Sequence, residues 1–134
     1  MKMKILLQRL VSWCGEQGKE YEEKIYLDNA FSLSIIIKTK NENRKIILQN
    51  MGESIFISCD ICKISVDKVN KAINLCAEMN ENDFVSCSIR KNENDTILEI
   101  TSYVSVKSYD VCITVIKEIE KIIEQNLEQI KSLC

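Results

Sequence analysis

Residues Ser54 to Ile64 read SIFISCDICKI, and two different proteins can be read from them. In one, Cys59 and Cys62 are a CxxC motif, the core of a metal site or a redox pair. In the other, Ile55, Ile57, Cys59 and Ile61 alternate onto one face of a β-strand, and Cys59 is a small buried hydrophobe. A structural zinc site needs about four ligands, usually two Cys or Cys/His pairs. The chain has seven cysteines but one CxxC and no histidine. A redox CxxC sits where a strand feeds a helix N-terminus, whereas Cys59 falls inside the strand pattern. In a regular strand, residues three apart have Cα atoms roughly 10 Å apart and face opposite sides, too far for a disulfide. The strand reading is preferred. A thiol-based metal or redox sensor using Cys59 and Cys62 is its alternative.

Outward from this strand the pattern repeats. Phe31, Leu33, Ile35 and Ile37 alternate with Ser32, Ser34 and Lys38 over Phe31 to Lys40. Asn41 to Asn43 (NEN) make a polar turn, Arg44 to Asn50 return, and Gly52 marks a second turn. Phe84 to Lys91 and Thr96 to Val106 form another hairpin around NEND. Helical spacing is expected over Met3 to Cys14, with Gly15 and Gly18 ending it. A second helix is expected from Val66 to about Asn80, capped by Ser65, with Val66, Val69, Ile73, Cys76 and Ala77 as its apolar stripe. Ser108 or Asp110 caps a long last helix reaching close to Leu133. Lys19 to Asp28 is ambiguous: its second half, KIYLD, reads as a strand, and its first half as a possible extension of the helix. The fold class is α+β. An antiparallel sheet carries helices in the order helix, three or four strands, helix, two or three strands, helix. At 134 residues, one domain over 1–134 is expected.

Composition narrows the function. A net charge of −2 argues against a nucleic-acid partner. No histidine removes the commonest general base, and three glycines make no phosphate-cradling loop. The serines of the strands lack a base, and the glutamates at 20, 22, 23, 118, 120, 124 and 128 read as solvated faces. No enzyme activity, cofactor or membrane span is expected. Met1 to Gly15 (MKMKILLQRLVSWCG) resembles a lipoprotein signal, but Gln8 and Arg9 break its apolar run and Trp13 stands where a small residue is needed. A cytoplasmic chain with reduced thiols is the expectation.

Two surfaces are candidates for partners. Ile36, Ile47 and Phe56 fall by parity on the serine-rich face of the sheet, where they form an expected partner surface. Ile116, Ile119, Ile123, Asn126, Ile130 and Leu133 follow heptad spacing. Ile123, Asn126, Ile130 and Leu133 are the expected seam of a homodimer. A cleft for a small molecule is a further possibility of a helix-on-sheet fold.

Val69–Asn80 (VNKAINLCAEMN), then Asp83–Val106 (DFVSCSIRKNENDTILEITSYVSV) and a terminal amphipathic helix, resemble the YbjN-like family of proposed bacterial sensory transduction regulators. Asn70, Asn74, Phe84, Asp95 and Leu98 carry the resemblance. It implies a fold related to type III secretion chaperones and a small cytoplasmic domain, often dimeric. It also implies a module that binds other proteins, chaperone-like or regulatory, with no catalytic residues to carry over.

Overall fold

Branched apolar residues at every second position, with Ser, Lys and Gln between them, favour extended chain with two unlike faces. The computed structural model describes residues 2–27, 30–40 and 42–134, with side chains of the first helix from residue 4 onward. In it the runs form a six-stranded, wholly antiparallel sheet. The chain order is α1 (Lys2–Glu16), β1 (Tyr21–Ile25), β2 (Phe31–Thr39), β3 (Glu42–Met51), β4 (Ser54–Lys63), a 3-10 turn (Val66–Lys68), α2 (Val69–Met79), β5 (Ser86–Asn92), β6 (Asp95–Ser105), α3 (Tyr109–Gln125) and α4 (Leu127–Lys131). Side by side, the strands run β1-β2-β3-β4-β6-β5. Asp28, the expected end of the second segment, and Asn41 of the NEN turn lie outside the described residues.

Backbone chemistry sets the breaks. Helix α1 runs through Gly15 to Glu16 and is closed off by Gly18, whose φ of +66° is in the left-handed region. The Gly18 N–H bonds back to the Gly15 carbonyl and the Lys19 N–H to that of Cys14, which closes the helix with a left-handed cap. The next residues therefore leave the helix at once. The strand of the ambiguous segment is β1, Tyr21–Ile25, which takes in Lys24 and Ile25 of KIYLD but begins three residues earlier and stops before Tyr26. Gly52, at φ +65°, makes the two-residue turn between Met51 and Ser54.

All helices whose packing is defined lie on one side of the sheet. Leu33, Ile35, Ile46, Leu48, Ile55, Ile57, Leu98 and Ile100 point there and are fully buried. Cys59 and Cys87 flank Ile100 in register, and Cys87 touches Cys76 on α2, so α2 covers the same side as α1 and α3. The buried face of α2 is Ala72, Leu75, Cys76 and Met79. This is rotated from the expected stripe. Val66 is spent in the 3-10 turn, and Ile73 and Ala77 face out while Leu75 and Met79 pack toward the sheet. Ser65 precedes that turn and makes no side-chain cap.

The expected homodimer seam is corrected by burial. Ile123, Ile130 and Leu133 are 0%, 1% and 1% exposed within the single chain. Asn126 ends α3, donates its side-chain amide to the Ile122 carbonyl, and starts the short α4. The break bends the chain back over its own core. The Leu133 carbonyl then accepts from the Ser65 N–H, which ties the tail to the loop after β4. Ile123, Asn126, Ile130 and Leu133 are therefore core and hinge, and the helix does not overhang the domain.

Candidate functional site

The other side of the sheet is open: among the described residues no helix packs on it. Register brings the serines of separate strands into one row. Glu22, Ser34, Ile47, Ser58, Thr101 and Ser86 are neighbours across the sheet. One step along the strands, Phe56 sits between Gln49 and Tyr103. Ile36, opposite Lys45, lies one step the other way. Ile36, Ile47, Phe56 and Tyr103 thus form an apolar diagonal across β2, β3, β4 and β6, each within side-chain reach of the next. The three residues expected at a partner surface share one face, each half-buried.

Tyr103 is the member that sequence reasoning missed. It is 67% exposed, and its ring centroid is 4.8 Å from that of Phe56. Its parity was available, since Leu98, Ile100 and Val104 point inward on the same strand. Its place beside Phe56 depends on β6 pairing with β4, which no local pattern specifies. Beside the diagonal, a groove of about 470 Å³ is lined by Glu20, Glu22, Ser34, Ile36 and Lys45. Charged groups frame the face. Lys38 pairs with Glu20 at 2.8 Å, and Arg90 bonds Asp60 at 3.2 Å and Glu99 at 3.0 Å. The face is thus an apolar stripe among small hydroxyls, with charged groups around it.

Cys59 and Cys62 form a different arrangement from that of a regular strand. A β-bulge separates them: Asp60 pairs with Glu99 and Cys62 with Leu98, which leaves Ile61 over. The bulge turns Cys62 to the helix side, where it lies close to the free thiol of Cys134. Cys59 is buried, with its thiol 3.9 Å from the Asp60 carbonyl. Burial pushes the Cys59 thiol up to about 12, against a smaller opposing pull from the Arg44 cation. Burial, and then Cys134, push the Cys62 thiol up to about 12 as well. Thiols held protonated in this way are poor nucleophiles for thiol–disulfide exchange. Among the described residues no three His, Cys, Asp or Glu side chains converge as a metal site. The geometry therefore does not favour the Cys59/Cys62 sensor. No described helix is long and apolar enough to cross a membrane.

Comparison with known proteins finds similarity in structure and none in sequence. No family model and no curated protein matches the chain. Among solved structures, the fold is similar to that of YbjN from E. coli, a proposed transcription regulator. The TM-score is 0.60, the identity 13%, and the match covers 91% of each chain. The two share a fold, including the expected α+β order.

Proposed function

We propose that this chain is a non-catalytic protein-binding module, chaperone-like or regulatory, whose binding surface is the open face of the sheet. One observation carries the reading: the diagonal Ile36, Ile47, Phe56 and Tyr103 lies on the side that no described helix covers. Aromatic anchors surrounded by small polar groups are the composition of a binding patch. The likeness in fold to a proposed regulator supports the same class. Affinity capture from the native cell extract tests it. Wild-type protein should retain a partner at near-stoichiometric level, and the folded triple variant Ile36→Lys, Ile47→Lys, Phe56→Lys should lose it. Equal recovery by both would rule out this surface.

A homodimer belongs to the same reading, now placed at a sheet edge. All five residues of β1 are exposed, and Tyr21 and Ile25 are apolar. An exposed edge strand offers backbone donors and acceptors to a second chain. Antiparallel pairing about Glu23 would set Tyr21 against Ile25 and Glu22 against Lys24 of the second copy. Light scattering under reducing conditions should give a dimer that Ile25→Lys dissociates. A monomer at tens of micromolar would exclude it.

A further inference from the structure

Cys76 and Met79 stand one helical turn apart on the buried face of α2, and both meet Cys87 of β5. The Cys87 Sγ is 3.3 Å from the Cys76 Sγ and 3.5 Å from the Met79 Sδ. Its thiol proton is thus offered to two sulfur lone pairs at once. We propose that the Cys76–Met79–Cys87 sulfur triad is a binding site for a soft monovalent d10 cation, Cu(I), which would displace both thiol protons, the shared one included.

The chemistry of the donor set selects the ion. Two thiols and a thioether are soft ligands that favour Cu(I). Structural zinc prefers four ligands, and the triad supplies three. A metal–sulfur bond of about 2.3 Å places three sulfurs around a trigonal centre roughly 4 Å apart. The observed separations of 3.3 and 3.5 Å need to widen by about 0.5–0.7 Å. Binding is balanced as Cu(I) plus two thiols giving a bis-thiolate complex of charge −1 and two released protons, with the thioether as third ligand. No oxidant or reductant is needed when copper arrives as Cu(I).

The frame around the triad is built. Asn80, at the end of α2, holds Cys87 by both of its backbone groups. Its Nδ2 donates to the Cys87 carbonyl at 3.0 Å, and its Oδ1 accepts from the Cys87 N–H. This bracket fixes the edge strand against the helix at the residue whose sulfur is shared. The three side chains are only 4–8% exposed, beside the sheet edge, so the site is dry yet shallow. The proposal is independent of the open face, which lies on the other side of the sheet.

Anaerobic titration of the reduced, intact chain with Cu(I), against a chromophoric Cu(I) chelator, tests it. One Cu(I) per chain is expected, with a sulfur-to-copper charge-transfer band in the near ultraviolet. Cys76→Ala and Cys87→Ala should each remove the band. Asn80→Ala, which leaves all three sulfurs in place, should weaken binding about 10–100-fold, as loss of a ligand's supporting bonds does. Cys134→Ala, at the other thiol contact, should change nothing. Should the alanine variants unfold, alkylation of the wild-type protein decides. In partly denaturing buffer, where both thiols of the metal-free chain react, Cu(I) should protect Cys76 and Cys87 and leave Cys134 reactive. Protection of Cys62 and Cys134 instead, or binding no tighter than that of a Cys76→Ala, Cys87→Ala double variant, would overturn the proposal.

Discussion

The Arg44 Nε donates to the carbonyl of Ile61, 2.9 Å away, at the residue that the β4 bulge leaves without a partner in register. Arg44 is a buried cation in a sheet otherwise lined with Ile and Leu. Its other nitrogens reach Thr39 at 2.9 Å and Glu42 at 2.6 Å. A bulge next to a buried Arg is thus one device, since the strand's freed carbonyl is satisfied by the cation. Arg44→Met should cost about 3–4 kcal/mol, because the Ile61 carbonyl and Thr39 lose a buried partner. Glu42→Gln should cost under about 1 kcal/mol, since Glu42 is mostly exposed. Urea unfolding of both variants checks the order. Equal, small losses would show that the bulge does not depend on Arg44.

The end of the chain gives a second test. Ile123 is fully buried, so Ile123→Ala should cost about 2–5 kcal/mol. The loss should be independent of protein concentration, because the contacts are internal. A loss that vanishes on dilution would restore the intermolecular seam. Ile123→Glu with Ile130→Glu should unfold the chain rather than dissociate it.

Alkaline pH should destabilise the fold. Burial pushes the thiols of Cys14 and Cys112 up to about 11 and that of Cys59 up to about 12 from an ordinary 9.0. A group whose folded pKa is raised stabilises the fold fully below its unfolded pKa. That stability is lost as pH rises toward the folded value. Melting temperature should therefore fall between about pH 9 and pH 12, more steeply than in a Cys112→Ala variant. Parallel slopes for the two proteins would exclude Cys112 as a contributor.

The β5–β6 hairpin is under mild strain. Glu93 has φ +51° in the turn between Asn92 and Asp95. Glycine adopts this region without steric cost. Glu93→Gly should be neutral or stabilise by up to about 1 kcal/mol, although glycine also loosens the unfolded chain. A loss above that amount in chemical denaturation would contradict the assignment of strain.

Local chemistry made much of this fold legible. Alternation at Phe31–Ile37 and Ile55–Ile61 fixed which face is buried, and Ile36, Ile47 and Phe56 followed by parity. What stayed hidden depends on long-range pairing. The place of β6 between β4 and β5 sets Tyr103 beside Phe56. The bulge after Asp60 reverses Cys62 through contacts with Arg44, seventeen residues or so away in sequence. Heptad spacing misled at Asn126, because a helix can repeat every seven residues and still fold its seam onto its own sheet. The CxxC spacing likewise concealed the contacts the sulfurs make, Cys62 with Cys134 and Cys76 with Cys87.

The central claim is that the open sheet face meets another protein. A photo-crosslinking amino acid at position 103, activated in the native cell, tests it most directly. Tyr103 is well exposed on that face, and Val66, 92% exposed in the turn before α2, is the comparator away from the diagonal. Position 103 should capture one discrete partner, and Ile47→Lys should abolish the crosslink while the chain stays folded. A partner captured from position 66 and not from 103, or a crosslink indifferent to Ile47→Lys, would contradict the account.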